Sequence, residues 1–405
     1  MSRAPTGNID SFNVTNSYNN VTLIVADDEP KILAWLSPLE PQVRHQDICE
    51  QRVDRVGNWL LETKEFRGWY NGSGNDGSDY AALFCYGEPG VGKSYIWYES
   101  LSARNEGHGL LTVNGDSSVV VDYLCERVVE QDMAVACFYY DFASREAQSA
   151  TNMLGSLLKQ LLSGLETIPV EIVQRFRGQK KAIGGRRIQL PDIVKMCAAV
   201  TSLQRTFICV DALDECVPRH RLEVLGALGQ ILRGSPNTRI FMTGRSHIRG
   251  VVERQLGGRI TSLPILPRED DIVTYLRARL GNDETPEAMD SSLESDIMKG
   301  IPEETSETCV PPRDSGNRCE SYTDRCKYRF LLASLKIEAI LSETTIHRRR
   351  NRLNAEGGGL GLGGAYETTL GRIRAQEGEK AKLAMTTLMW ICHSETPLRV
   401  DELCH

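Results

Sequence analysis

The chain has 405 residues, 47 Lys and Arg against 54 Asp and Glu, and a formal charge of −7. Hydrophobic residues make up 41% and charged residues 25%, an ordinary globular balance with length enough for two or three domains. The charge of −7 argues against bulk nucleic-acid binding, which wants a basic face. No run approaches the ~18 apolar residues of a membrane span, and the start of the chain lacks a signal-peptide core.

The expected location is therefore the cytoplasm, where the 12 cysteines stay reduced. Cys309, Cys319 and Cys326 form no C-x-x-C pair, so no structural metal is expected. Cys85, Cys137 and Cys209 sit in strand-like runs and read as small buried hydrophobes.

Residues 1–34 are polar and aperiodic. Phe12 to Leu23 mixes Asn, Ser and Thr with spaced apolar residues, so this part reads as a disordered leader or a β-aggregating signalling segment. Residues 35–79 read as a helical flank and loop. Ile48, Val53, Val56, Trp59, Leu60 and Phe66 recur at helical spacing over 45–69, and Asn71 to Ser78 is a loop by composition.

Ala81 to Tyr86 fits a buried parallel strand, and Gly87-Glu88-Pro89-Gly90-Val91-Gly92-Lys93-Ser94 follows it. That octet matches the phosphate-loop pattern G-x-x-x-x-G-K-[ST] in full. Its glycines let several backbone N–H groups converge on one anion, and the next helix points its positive end there. Lys93 would reach the outer phosphates and Ser94 would hold Mg²⁺.

The metal also needs an acidic partner at a strand end. Phe207 to Val210 makes such a strand, and Asp211 emerges from it as the expected Mg²⁺ ligand, acting through water. Asp214 or Glu215, one turn further on, would orient an attacking water. Arg239 to Thr243 is another strand. Beyond its end lies Arg245, able to sense a terminal phosphate through its forked donors. Strands are also expected at Val135–Tyr140 and Ile260–Ile265, with helices between them. The clearest helix is 150–165, with Met153, Leu154, Leu157, Leu158, Leu161, Leu162 and Leu165 on one face. The fold class is thus α/β, a phosphate-loop NTPase with a five-stranded, mostly parallel sheet covered on both sides.

From 268 the pattern turns helical, with segments at 268–280, 328–341, 344–353 and 378–392. The run His347 to Arg350 reads as a solvated basic face, Gly357 to Gly364 as a flexible loop, and 300–327 as irregular, rich in Pro, Glu and Cys.

Asp211-Ala212-Leu213-Asp214-Glu215 and the Thr243-Gly244-Arg245 strand end resemble the NACHT class of signal-transduction NTPases. So do Leu36 to Pro41, Trp59 to Thr63 with Trp69, Ala136 to Phe142, Thr344 to Arg350, Ala365-Tyr366, and Asp401 to Leu403. The chain resembles fungal members with a nephrocystin-type nucleotide-binding module, over residues 35–405. Two stretches depart from that pattern, 97–118 and 300–327. The resemblance implies domains at 80–267 (nucleotide-binding), 268–364 (helical) and 365–405 (the start of a winged helix, cut short at His405). It implies a strand order with the Arg239–Thr243 strand between the phosphate-loop and Asp211 strands. It further implies ATP or GTP with Mg²⁺, a homo-oligomer in the active state, and an unknown signalling protein as partner. A slow-turnover phosphate-loop ATPase of another class and a non-catalytic interaction fragment are the competing readings.

Overall fold

The computed structural model describes residues 29–39, 56–72, 80–87, 119–141, 144–180, 188–266, 268–307, 329–354, 370–371, 373–374 and 379–393. They fall into two units, which meet in the chain between Ile265 and Leu266.

The first unit begins with helix α1 (29–36). The sequence reading ended its leader at 34, but Ile32 and Leu36 are fully buried. The expected 45–69 helix is described from 56 onward. It breaks at Thr63 into α2 (Trp59–Glu62) and α3 (Lys64–Asn71), because the Thr63 hydroxyl accepts the N–H of Phe66 and caps a new start. The unit continues with β1 (Ala82–Tyr86), α4 (Val119–Gln131), β2 (Met133–Tyr139), α5 (Ala150–Ser163), α6 (Val170–Lys180), α7 (Leu190–Thr201) and β3 (Arg205–Asp211). Then come α8 (Pro218–Gly234), β4 (Thr238–Gly244), α9 (Arg249–Leu256) and β5 (Ile260–Pro264).

All five strands are parallel, in the order β2-β3-β4-β1-β5. The strand β4 therefore lies between β1 and β3, as expected. Strand side chains alternate between two apolar layers. Phe84, Phe138, Ile208, Val210, Ile240 and Met242 join one core with α5, α7, α8 and α9. On the other face Trp69 meets the rings of Phe207 and Phe241 at 5.4 and 5.8 Å. Tyr70 stacks on Phe207 at 5.5 Å. Arg205, at the start of β3, donates to the Tyr70 carbonyl. The C-terminus of α3 thus lies at the end of the sheet away from the strands' carboxyl ends, and Trp69 serves the core.

On edge strand β2 a side chain serves the backbone N–H and C=O of Cys137. Gln160 of α5 takes both, accepting from the N–H at 2.9 Å and donating to the carbonyl at 2.8 Å. A further constraint ties α1 to α5: a Cβ on Gly155 would stand 2.1 Å from the Leu36 carbonyl oxygen. Nearby, the Ser37 hydroxyl donates to the Asn152 carbonyl at 2.8 Å.

The second unit contains α10 (Glu269–Gly281), α11 (Ser291–Glu307), α12 (Arg329–Leu341), α13 (Ile346–Leu353) and α14 (Glu379–His393). Helix α11 corrects the irregular reading of 300–327 over its first residues. Leu293, Ile297 and Ile301 recur every four residues and are fully buried, which offsets the interior Pro302. Residues 308–328 lie outside the described set. Arg349 corrects the reading of the basic run as a solvated face, since it is fully buried. In α14 no residue is buried, and Leu383, Met389, Trp390 and Ile391 are exposed.

Candidate functional site

The carboxyl ends of β1, β4 and β3 bring the site together. After Tyr86 the N–H of Gly87 donates to the carbonyl of Gly244 at 3.3 Å, so the first phosphate-loop residue lies beside the residue that precedes Arg245. Gly244 has little space for a side chain. A Cβ there would meet Ile248 Cδ1 at 2.8 Å and the Phe84 ring at 3.2 Å. The rest of the expected loop, Glu88, Pro89, Gly90, Val91, Gly92, Lys93 and Ser94, lies outside the described residues.

Asp211 closes β3. The Thr243 hydroxyl, from the neighbouring strand end, donates to its Oδ1, and in turn accepts the N–H of Ala212 at 3.1 Å. Some of Asp211 reaches solvent, but its carboxyl is enclosed. Burial pushes its pKa up to about 7, against the pull of the hydrogen bonds from Thr243 and Ala212, and Glu215 and Asp214 push it further the same way. A carboxylate oxygen such as that of Asp211 suits a hard cation, and Mg²⁺ asks of a protein only one or two carboxylates, the rest coming from phosphates and water. Among the described residues no group of three or more His, Cys, Asp or Glu could hold a metal by itself.

Ala212 takes φ of +50°, a left-handed conformation that costs a residue with a Cβ roughly 1 kcal/mol or more. It turns the chain sharply into the short 3₁₀ turn Leu213–Glu215. That turn carries Asp214 back to β4. Asp214 Oδ1 accepts the backbone N–H of Arg245 at 3.1 Å, and Oδ2 pairs with its Nε at 3.0 Å. From beneath, Arg221 of α8 donates to the carbonyls of Leu213, Asp214 and Cys216 at 3.1, 2.8 and 2.7 Å.

Of the sequence-predicted residues, the structure thus gathers Gly87, Asp211, Asp214 and Arg245 at one edge, with Glu215 on the same turn. Thr243 and Arg221 were missed. Arg221 left one faint signal: an arginine in a helix's first turn opposes the helix dipole, so it needs another reason to be there. Beside the site, Arg249 donates to the Tyr86 hydroxyl at 2.7 Å and pairs with Glu253, which also accepts from Ser262. This chain of contacts links the end of β1 to the middle of β5 through α9.

Residues 55–245 match the family described as Nephrocystin 3, N-terminal. Together with the sheet order, that match supports a NACHT-like nucleotide-binding module. No curated protein matches the chain. Among solved structures, the Walker-type ATPase PABY2304 of Pyrococcus abyssi is similar at 15% identity and a TM-score of 0.41, over 87% of this chain and 90% of that one. Cdc6p from Pyrobaculum aerophilum is similar at 13% identity and 0.39, over 78% and 68%. The Aeropyrum pernix ORC1 protein, solved in complex with DNA, is similar at 12% identity and 0.35, over 84% and 83%. Likeness of this order says nothing about activity. Among the described residues no helix is long and apolar enough to cross a membrane.

Proposed function

We propose that the chain is a NACHT-type nucleotide-dependent signalling switch. It binds ATP or GTP with Mg²⁺ through Gly87 to Ser94, and its nucleotide state governs conformational opening and self-association. The observation that carries this reading is the strand order, with β4 between β1 and β3, which sets Gly87, Arg245 and Asp211 along one edge. Ligands of open α/β sheets bind at that edge.

In this reading Lys93 contacts the outer phosphates, Ser94 and Asp211 hold Mg²⁺, and Arg245 meets the terminal phosphate. One of the carboxylates of the following turn, Asp214 or Glu215, orients water for slow hydrolysis. Bound Mg²⁺ supplies charge neutralisation between the phosphates. The nucleotide module covers 80–267, followed by a helical domain to 364 and a winged-helix start from 365. Inverting a 1:99 population takes a differential of about 5.5 kcal/mol between nucleotide states, and charged phosphate contacts at roughly 1.5–3 kcal/mol each can supply it. The cellular setting we propose is a cytoplasmic one, in fungal non-self recognition or programmed cell death, with an unknown signalling protein downstream.

The direct test is titration of the purified chain with a labelled ATP analogue and Mg²⁺, beside Lys93→Ala. Binding by the wild type and its loss in the variant is the expected result. Equal affinity of the two would remove the phosphate-loop assignment.

A further inference from the structure

Asp214 is tied to a single neighbour through both carboxylate oxygens. Oδ1 takes the backbone N–H of Arg245 and Oδ2 takes its Nε. The Asp214 side chain is 8% exposed and that of Arg245 is 49% exposed. Arg221 grips the Asp214 carbonyl from the other side, so the turn is held above and below. Contact through Nε leaves the terminal nitrogens of the guanidinium, Nη1 and Nη2, for another anion. Among the described residues none takes them. By contrast, a water-orienting base needs an oxygen open to the water, and Asp214 is nearly closed off from solvent with each oxygen already accepting from Arg245.

We propose that Asp214 is a positioning residue, which aims the Arg245 fork at the terminal phosphate of a bound nucleoside triphosphate and leaves the orienting of water to Glu215. The proposal rests on the nucleotide-switch reading above. An arginine free to rotate pays side-chain entropy each time it grips a phosphate; one already held at its backbone and Nε pays less. Asp214 would therefore set how well the chain tells a triphosphate from a diphosphate.

The test measures the affinities of the full chain for a non-hydrolysable ATP analogue and for ADP, each with Mg²⁺. In the wild type the analogue binds tighter. Arg245→Ala and Asp214→Ala each cut that preference by about tenfold, and the double variant is no worse than either single one, because both remove the same contact. Asp214→Asn keeps the shape of the turn and an acceptor for the Arg245 N–H, so it falls between and guards against a misfolded Ala variant. If both Asp214 variants keep the full preference and only slow hydrolysis, Asp214 is the base and the proposal is overturned. Additive losses in the double variant overturn it too. A wild-type chain that binds neither nucleotide overturns the switch reading, and this proposal with it.

Discussion

Arg349 grips both oxygens of Asp283, with Nη1 on Oδ2 at 2.5 Å and Nη2 on Oδ1 at 2.9 Å, and neither side chain is more than 5% exposed. The same guanidinium donates to Thr285 Oγ1 and to the carbonyls of Leu341 and Glu343. One side chain thereby ties the segment after α10 to the turn between α12 and α13. Its hydrogen bonds are the main reason the Asp283 carboxyl is held below its usual pKa.

Removing Arg349 should be costly, since it strands a buried carboxylate. We expect Arg349→Leu to lose roughly 3–5 kcal/mol, and Arg349→Leu with Asp283→Leu to recover much of it. Denaturant melts of the three proteins give the answer. The pair also makes the second unit acid-sensitive. A depressed folded pKa means the stability is present above the ordinary pKa of 3.8 and is lost as pH falls through the lower folded value. Single and double variants of equal stability would mean that Asp283 tolerates isolation.

Asp211 runs the opposite way. Its folded pKa, about 7, is raised from 3.8, so its contribution is fully present below 3.8 and is lost as pH rises toward 7. Without Mg²⁺ or nucleotide, the first unit should lose up to about 4 kcal/mol of stability across that window. Asp211→Asn, neutral at every pH, should flatten the slope while weakening Mg²⁺-dependent nucleotide binding. Stability curves from pH 4 to 8 for both proteins test this. Parallel curves would show that Asp211 titrates normally.

The Gln160 amide should be what protects the exposed edge of the sheet. Gln160→Leu removes the amide's hydrogen bonds to the Cys137 N–H and C=O, at a cost of about 1–3 kcal/mol, and opens β2 to pairing with other chains. The readouts are the hydrogen-exchange rate of the Cys137 amide and light scattering on mild heating. A Cys137 amide as protected as in the wild type would mean that another group covers the edge.

Much of the first unit was legible along the chain. Five short apolar runs, each ending near Gly, Asp or Arg, announced the strands within a residue or two. The pairing of phosphate-loop and Asp211 motifs pointed to β1 and β3 as the strands that carry the proposed site. The missed pieces share a cause. Helix α11 hid behind Pro302 and its acidic neighbours, although Leu293, Ile297 and Ile301 kept the helical interval. Helix α1 was hidden by the polar segment before it, and its burial depends on Gly155, more than a hundred residues away.

By itself the sequence determined the layered α/β class and its five strands, and it pointed to the ends of β1 and β3 with Asp211 as the proposed acidic member, because periodicity and motif spacing are local properties. The tertiary structure alone decided where the charges go. Arg349 reads like its basic neighbours until Asp283, from an earlier turn, makes it a buried anchor. Asp214 and Arg245 read as two independent catalytic candidates until parallel pairing of β3 with β4 sets them against each other. Burial follows from a residue's own pattern, but a charge takes its role from its partner, and the partner is chosen by how distant segments pack.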